Sequence, residues 1–370
     1  MAERLGFAEL IIVYYQNFCD FNLFASGDFL FMYPSWFNRA AVGEVWRVPY
    51  GDRAQDAHHW QQQHQIRPAS DDQRRIGLLL IDVQNTFCIP GFELFVAGKS
   101  GQGAVEDNQR LCEFIYRHLG DITEIIATMD THSALQIFHP AFWVNDAGEH
   151  PAPMSTLELA DIEGRTWRIN PEIVPMLPLD IDADAYAQHY ARQLTQESKY
   201  PLTIWAYHGM TGGIGHSLVA AVEEACFVHS LVRRSPTRYE LKGMHPLTEN
   251  YSVLKPEVQT TADGTAIAQT NTALIEHLLS FDQLIIAGQA KSHCVAWTVR
   301  DLGQEIRDRH PKHPETMAQK IYLLEDCTSP VVIPGVVDFS EGAEAAFADC
   351  ADLGMQRVSS QSSSDWLDKT

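Results

Sequence analysis

The chain has 370 residues, of which 45% are apolar and 20% charged, enough to bury one large core or two ordinary ones. Its formal net charge of −21 argues against nucleic acid as a partner, because phosphate binding requires a positive surface. The longest apolar stretch near the start, residues 10–15, is far below the roughly 20 residues of a membrane span, so no membrane partner is expected.

The seven cysteines are scattered along the chain without a C-x-x-C pair. Such a set is typical of reduced thiols and not of a disulfide framework or a zinc ribbon. No short basic segment leads into a clean apolar run at the start, as a secretory signal would require. We therefore expect a cytoplasmic protein with mostly inert, buried thiols.

Residues 1–75 are expected to form an irregular, aromatic-rich extension. Within it, the run 56–65 carries three histidines and four glutamines. A solvated helix or a linker is favoured there over a metal site, because the run has one acidic residue and no thiol.

The pattern changes at residue 76, where strand-length and helix-length segments begin to alternate. The strand-like runs are 76–82, 124–130, 238–242, 284–288 and 321–326. The helix-like segments are 105–119, 214–229, 271–279, 295–306 and 342–348. This alternation predicts a three-layer α/β fold, a mostly parallel sheet with helices on both faces.

We expect this domain to span residues 76–355, followed by a tail at 356–370. Residues 142–200 break the rhythm with several prolines and an acidic cluster at 180–184. A segment of this length between core elements is an insertion, and such insertions are often lids or oligomer contacts.

Polar side chains follow four of the predicted strands where each one ends. They are Asp82, Asp130, Lys242 and the turn 288–294. Because ligands of open α/β sheets bind at the carboxyl ends of the strands, these residues are predicted to form one site.

Cys294 is the candidate nucleophile. A buried strand ends at Gly288, a short turn follows, and Cys294 opens a helix. The positive end of the helix dipole is expected to lower the pKa of this thiol, and the free N–H groups can hold an oxyanion.

Three separated motifs carry a resemblance to a known family. Residues 288–295, Gly-Gln-Ala-Lys-Ser-His-Cys-Val, resemble the nucleophile loop of nicotinamidase-like members of the isochorismatase-like cysteine hydrolases. Residues 81–87 resemble their first-strand motif, and residues 242–243 with 249–252 resemble their lysine segment. The resemblance covers roughly residues 76–350 and leaves 142–200 unmatched.

The resemblance implies the isochorismatase-like hydrolase fold and a triad of Asp82, Lys242 and Cys294. Asp82 would take the thiol proton, and Lys242 would stabilise the thiolate. It also implies a cis peptide between Gln289 and Ala290, with the amides of Ala290 and Cys294 as the oxyanion hole.

A metal site is the second implication. Asp130 and His132 lie two residues apart at a strand end, so both point to one side. The segment around Trp205 and His208 resembles the family's W-P-x-H segment, with Ala206 in place of the proline, and implies His208 as third ligand. These ligands suit zinc first, with iron or manganese as alternatives.

The resemblance further suggests a ring-binding wall of Phe87, Trp205 and Tyr251, although each is equally compatible with the core. The other histidines near these motifs are assigned to surface or supporting roles, and His216, just after a glycine-rich turn, is favoured for a supporting role. They are His139, His150, His216, His245 and His293.

The expected function is hydrolysis of a small heteroaromatic amide such as nicotinamide to the acid and ammonia through a cysteine thioester. An alternative keeps the triad but acts on another amide, a carbamoyl compound or an isochorismate-like ether. A third reading is a non-catalytic binding protein with an unreactive Cys294. The family resemblance also suggests a homo-oligomer.

Overall fold

A computed structural model of the chain describes residues 33–362 and 366–367. Its ten helices within that range are α1 (Tyr50–His64), α2 (Asn85–Cys88), α3 (Gly103–Arg117), α4 (Leu159–Glu163), α5 (Ala183–Gln196), α6 (Ala220–Arg233), α7 (Thr272–Leu279), α8 (Ala296–Arg309), α9 (Pro314–Ala318) and α10 (Ser340–Leu353). None of these helices is long and apolar enough to cross a membrane.

Twelve strands are present in the same range: β1 (Ile76–Ile81), β2 (Glu124–Asp130), β3 (Trp143–Val144), β4 (Thr156–Leu157), β5 (Arg168–Ile169), β6 (Leu202–Thr203), β7 (Arg238–Lys242), β8 (Gln283–Gly288), β9 (Ile321–Leu324), β10 (Val332–Ile333), β11 (Val337–Asp338) and β12 (Gln356–Val358). Six of them form the central sheet in the order β12-β9-β8-β1-β2-β7, and every pair in it is parallel. The predicted α/β fold class is confirmed.

Alternate residues of each strand point to opposite faces of the sheet, and helices cover both faces. Leu79 and Ile126 belong to one buried cluster, together with residues of α7, α8 and α10. Leu78 and Ile125 belong to the other, with residues of α3 and α6. The fold therefore has three layers, with helices on both faces of the sheet.

Some elements differ from the sequence prediction. The predicted helix 214–229 begins only at Ala220, because residues 214–216 form a single 3₁₀ turn before it. The sixth strand, β12, was not predicted. It is an edge strand of three half-exposed or exposed residues, so it lacks the apolar run that marks a buried strand.

The part of the extension that is described contains one regular helix. The histidine- and glutamine-rich run lies in helix α1, whose Arg53 Nε donates to Glu224 of α6 at 2.7 Å. Trp36 and Trp60 pack edge to face at 5.8 Å, and Trp36 also contacts Tyr116 of α3. Residues 1–32, including Cys19, lie outside the described residues.

The segment 142–200 carries secondary structure of its own. Within it lie β3, β4, β5, α4 and α5, and two short antiparallel pairs form, β3 with β5 and β4 with β6. Tyr186 and Tyr190 of α5 are buried in the same cluster as Leu79 of the central sheet. This segment therefore packs onto one face of the domain.

Candidate active site

The register of the sheet brings four strand ends together. Ile81 pairs with Gly288 on β8, and Asp130 pairs with Lys242 on β7. Asp82 follows Ile81 directly. Because the strands are parallel, their carboxyl ends meet at one edge, and the polar residues that follow them become neighbours.

The nucleophile loop begins at Gly288, whose backbone has φ +121°. A Cβ at this position would lie 2.1 Å from the carbonyl oxygen of Ile81, so only glycine fits. The Gln289–Ala290 peptide that follows is cis. A single π-helical turn, Lys291–Val295, then carries Cys294 and leads into α8.

Asp82, Lys242 and Cys294 form a compact buried group. Lys242 Nζ lies 2.9 Å from Asp82 Oδ2 and 3.6 Å from Cys294 Sγ. Cys294 is 7% exposed, Lys242 5% and Asp82 0%. The three side chains are close enough for a proton to pass between thiol and carboxylate beside a fixed positive charge.

Two further groups orient this trio, and the sequence analysis did not identify either. Thr128 Oγ1 donates to Asp82 Oδ1 at 2.5 Å and accepts from the Asp82 amide at 3.0 Å. Lys242 Nζ donates to the carbonyl oxygen of Asn250 at 2.8 Å. Thr128 lies two residues before Asp130 on the same strand, so the period-2 rule for strands was the signal that could have found it.

The direction of the pKa shift of the Cys294 thiol differs from the sequence prediction. Burial raises the pKa of Cys294 well above its usual range, although Lys242 opposes this, and the nearby carboxylates of Asp82 and Asp130 raise it further. The expected lowering of the Cys294 pKa is therefore wrong for this closed site. Burial also raises the pKa of Asp82, with Lys242 acting against it, which makes Asp82 a better proton acceptor than an exposed carboxylate.

Asp130, His132 and His208 have ligand atoms within 4.8 Å of one another, and all three side chains are buried. Asp130 Oδ2 lies 3.0 Å from His132 Nε2 and 3.7 Å from His208 Nε2. Among the described residues, they form the one group of three or more histidine, cysteine or acidic side chains arranged to hold a metal ion.

The two histidines are oriented for such an ion. His132 Nδ1 lies 3.1 Å from the carbonyl oxygen of Gly243, and His208 Nδ1 lies 2.8 Å from that of Ala206. A carbonyl accepts only from N–H, so each ring carries a proton on Nδ1 and turns its Nε2 toward Asp130. Nε2 of His132 is buried and faces the carboxylate of Asp130. A carboxylate with two imidazoles is a donor set that divalent transition metals accept.

Gln84 holds the Asp130 end of β2 in place. Its Oε1 accepts from the Asp130 amide at 2.7 Å, and its Nε2 donates to the Asp130 carbonyl oxygen at 2.9 Å. Gln84 belongs to the first-strand motif at 81–87 but was not singled out from the sequence.

Two of the three aromatic residues of the expected wall contact each other, and the third packs beside a candidate metal ligand. Trp205 Nε1 donates to the Tyr251 hydroxyl at 3.1 Å, so these two form a pair. Phe87 instead packs against His208, with ring centroids 5.6 Å apart. His293 packs against both Trp205 and Tyr251, at 5.8 Å and 5.5 Å between ring centroids, and thus adds a ring that the sequence analysis assigned to a supporting role.

The remaining histidines have varied positions. His216 Nε2 lies 2.9 Å from the Thr131 hydroxyl, beside the metal-site segment. His139 packs its ring against His132 and His208, at 5.9 Å and 5.8 Å between centroids. His139 is therefore the nearest additional imidazole to the three candidate ligands.

No family model matches the chain, and no curated protein does. Solved structures that it is similar to are nicotinamidases and pyrazinamidases. An Acinetobacter baumanii nicotinamidase/pyrazinamidase is 18% identical, covering 78% of this chain and 98% of its own, with a TM-score of 0.45. The yeast nicotinamidase is 17% identical, covering 76% and 99%, with a TM-score of 0.46. A Pyrococcus horikoshii pyrazinamidase in complex with zinc is 16% identical, covering 77% and 99%, with a TM-score of 0.39. Because the identities are this low and the TM-scores lie below one half, no substrate or metal is transferred from these proteins.

Proposed function

We propose that this protein hydrolyses a small heteroaromatic amide, nicotinamide first, to the acid and ammonia through a thioester on Cys294. The observation that carries the proposal is the position of Lys242, whose Nζ lies 2.9 Å from Asp82, 2.9 Å from Asp130 and 3.6 Å from Cys294 Sγ. One ammonium thus joins a candidate thiol–carboxylate pair to a candidate metal site.

In the first half of the reaction, Asp82 takes the proton from Cys294 as the sulfur attacks the amide carbonyl carbon. The carbonyl oxygen gains the negative charge, and the amides of Ala290 and Cys294 hold it. The Ala290 amide makes no hydrogen bond to a described residue, so it is free for this role. When the C–N bond breaks, Asp82 returns its proton to the nitrogen, ammonia leaves, and the thioester remains.

In the second half, Asp82 takes a proton from water while the water oxygen attacks the thioester carbon. The C–S bond breaks, the carboxylic acid leaves, and the proton returns to sulfur. Lys242 stays protonated throughout, because the negative charges of Asp130, Asp82 and Cys294 raise its pKa well above the usual range even though burial acts in the opposite direction.

Asp130, His132 and His208 would hold one divalent ion, which we propose to be zinc, with iron or manganese as alternatives. A bound ion supplies a Lewis acid beside the nucleophile that can orient a ring nitrogen of the substrate.

A second candidate is the same chemistry on a different amide or carbamoyl compound. Tyr200, at the end of the segment 142–200, donates its hydroxyl to the Ser292 carbonyl oxygen at 3.0 Å and packs on His293 at 5.0 Å. A residue of the inserted segment thus contacts the nucleophile loop directly, so the surroundings of Cys294 include a part of the chain that the family resemblance does not cover.

The test is ammonia release from nicotinamide by the wild type and by Cys294→Ala, with metal analysis of both proteins. We expect turnover by the wild type, a loss of at least about a thousandfold in the variant, and equal metal content, because Cys294 is not a ligand.

Three other outcomes have distinct meanings. Turnover that survives in Cys294→Ala contradicts the thioester mechanism. A metal-loaded wild type that alkylates at Cys294 but releases no ammonia from nicotinamide favours the second candidate. A protein without metal and with an inert Cys294 contradicts both candidate reactions and indicates a non-catalytic binding protein.

A further inference from the structure

A buried carboxylate on helix α3 contacts the nucleophile loop from outside all the motifs discussed so far. Asp107 is 2% exposed, and its Oδ2 accepts a hydrogen bond from Gln289 Nε2 at 2.8 Å. Gln289 itself is 0% exposed and immediately precedes Ala290. The contact joins two residues 182 positions apart.

The Gln289 side chain is held from two sides. Asp107 accepts a hydrogen bond from the side-chain N–H of Gln289, and Gln289 Oε1 accepts one from the Ser329 amide at 3.4 Å. The same residue, Ser329, accepts at its carbonyl oxygen from the Lys291 amide at 2.8 Å. The backbone of Gln289 is fixed as well, since its amide donates to the Ile81 carbonyl oxygen at 2.8 Å. Both sides of the Gln289–Ala290 peptide are therefore anchored to neighbouring elements.

Asp107 is also held in place itself. Its Oδ1 accepts from Arg110, one turn further along α3, at 2.8 Å. Burying a carboxylate is costly, and the Gln289 contact recovers part of that cost only while the loop stays in this position. The position of the Asp107 carboxylate and the position of the nucleophile loop therefore depend on each other.

We propose that Asp107 is a positioning residue for amide hydrolysis: by holding the Gln289 side chain it keeps the Ala290 and Cys294 amides directed at the oxygen of the developing oxyanion. The inference rests on the proposed function, because it assigns a supporting group to that reaction. Asp107 does not contact Lys242, Asp82 or Cys294, so its role is separate from activation of the thiol.

The experiment compares Asp107→Ala with wild type in steady-state nicotinamide hydrolysis and in alkylation of Cys294 by iodoacetamide. Misplacing an oxyanion donor weakens only the transition state, so we expect kcat to fall about 30-fold with KM changed less than about threefold. Alkylation forms no oxyanion, and its rate should stay within about twofold of wild type. Asp107→Asn keeps an acceptor oxygen for Gln289 and should restore kcat to within about threefold.

Two further variants protect the test against a general loss of folding. Glu106→Ala removes the preceding carboxylate of α3, which is half-exposed, and should behave as wild type. Gln289→Met removes the other partner of the contact while keeping its length. If the two groups act through one contact, the double variant Asp107→Ala/Gln289→Met should be no slower than the slower single variant.

The outcomes separate this inference from the proposed function. A wild type that releases no ammonia from nicotinamide contradicts hydrolysis of that amide and, with it, the role of Asp107 in that reaction. If the wild type turns over and Asp107→Ala keeps the wild-type kcat, only the inference about Asp107 fails. It also fails if alkylation slows as much as kcat, which would assign Asp107 to the thiol or to folding, or if the effects of the two substitutions multiply.

Discussion

The two carboxylate oxygens of Asp130 face different parts of the candidate site, the candidate catalytic lysine and the candidate metal ligands. Oδ1 lies 2.9 Å from Lys242 Nζ, and Oδ2 faces the Nε2 atoms of His132 and His208. Burial alone would raise the pKa of Asp130, but the charges of His132 and Lys242 hold it well below the usual range. A single ionised residue therefore serves both as a candidate metal ligand and as a counter-ion for the lysine.

Gly243 allows this close arrangement, and its replacement tests the metal site. Its φ is +76°, and an added Cβ would lie 2.5 Å from His132 Cε1 and 2.9 Å from Asp130 Oδ1. We expect Gly243→Ala to displace both candidate ligands and to reduce bound zinc from about one ion per chain to less than half. The measurement is zinc content after equilibration with a limiting free-zinc buffer.

Gly264→Ala is the matched control for this substitution. Gly264 also has a positive φ, +86°, but no atom lies within 4 Å of the added Cβ. Both variants should lose about 1 kcal/mol of stability from the left-handed backbone, and only Gly243→Ala should lose zinc. Equal zinc content in the two variants would contradict the proposed ligand set.

At the scale of elements, helix α6 is attached to the segment before β1 through the side chain at its last residue. Arg233 is 1% exposed; its Nη2 donates to Asp72 Oδ1 at 2.6 Å and its Nε to the Ile122 carbonyl oxygen at 3.1 Å. Its Nη1 donates to the carbonyl oxygen of Arg67. One guanidinium thus ties together three chain segments that sequence distance separates.

Arg233→Lys should lower the free energy of unfolding by about 2 kcal/mol, because an ammonium cannot reach all three acceptors in the fork geometry of arginine. Arg234→Lys, the same change at the next and exposed residue, should have an effect within about 0.5 kcal/mol. Urea denaturation of both variants measures the difference. Equal stability of the two would show that the buried contacts of Arg233 contribute nothing to the fold.

At the scale of the whole molecule, the parts outside the alternating strands and helices cover the two faces of the sheet. Trp36 and Trp60 of the N-terminal segment pack against the cluster that contains Leu78. Phe142 and Tyr186 of the segment 142–200 are buried in the cluster that contains Leu79. The N-terminal segment and the segment 142–200 therefore each enlarge one of the two hydrophobic cores. The homo-oligomer expected from the sequence stays a prediction.

At this scale too, the contribution of His229 to global stability should decrease in mild acid. Burial lowers the pKa of His229 to about 4, and its Nε2 lies 2.9 Å from the Ile122 carbonyl oxygen. Between the ordinary histidine pKa of about 6.5 and the folded-state value, the unfolded chain binds a proton that the folded chain does not. The contribution of His229 is thus fully present above pH 6.5 and is lost as the pH falls toward 4, by about 2 kcal/mol between pH 7.5 and pH 5.

His229→Gln isolates this effect, because glutamine can donate to Ile122 but does not titrate. The comparison of wild type with this variant is needed because other groups titrate in the same range. Burial raises the pKa of Glu257 to about 7, so Glu257 destabilises the fold as the pH rises, whereas His229 destabilises it as the pH falls. We expect the difference in unfolding free energy between wild type and variant to shift by about 2 kcal/mol from pH 7.5 to pH 5. A difference that stays constant over this range would mean that His229 is protonated equally in both states.

Four strands of the central sheet, β1, β2, β8 and β9, were predictable because they are buried on both faces and are continuous apolar runs. The strand at 356–358 was not, since an edge strand with exposed residues has no such pattern. Helix α1 was foreseen only as one of two alternatives, because its composition is polar all round and its attachment through Arg53 depends on a distant residue.

The sequence by itself determined the fold class and the set of residues at the carboxyl edge, because strand periodicity and chain order fix which side chains follow which strand. Tertiary structure decided how those residues shift one another's pKa values and which further residues hydrogen-bond to them. Burial reversed the expected lowering of the Cys294 pKa, and contacts over long sequence distances added Thr128 at Asp82 and Asp107 at Gln289. Desolvation and hydrogen bonds between distant segments depend on three-dimensional neighbours, which no local pattern encodes.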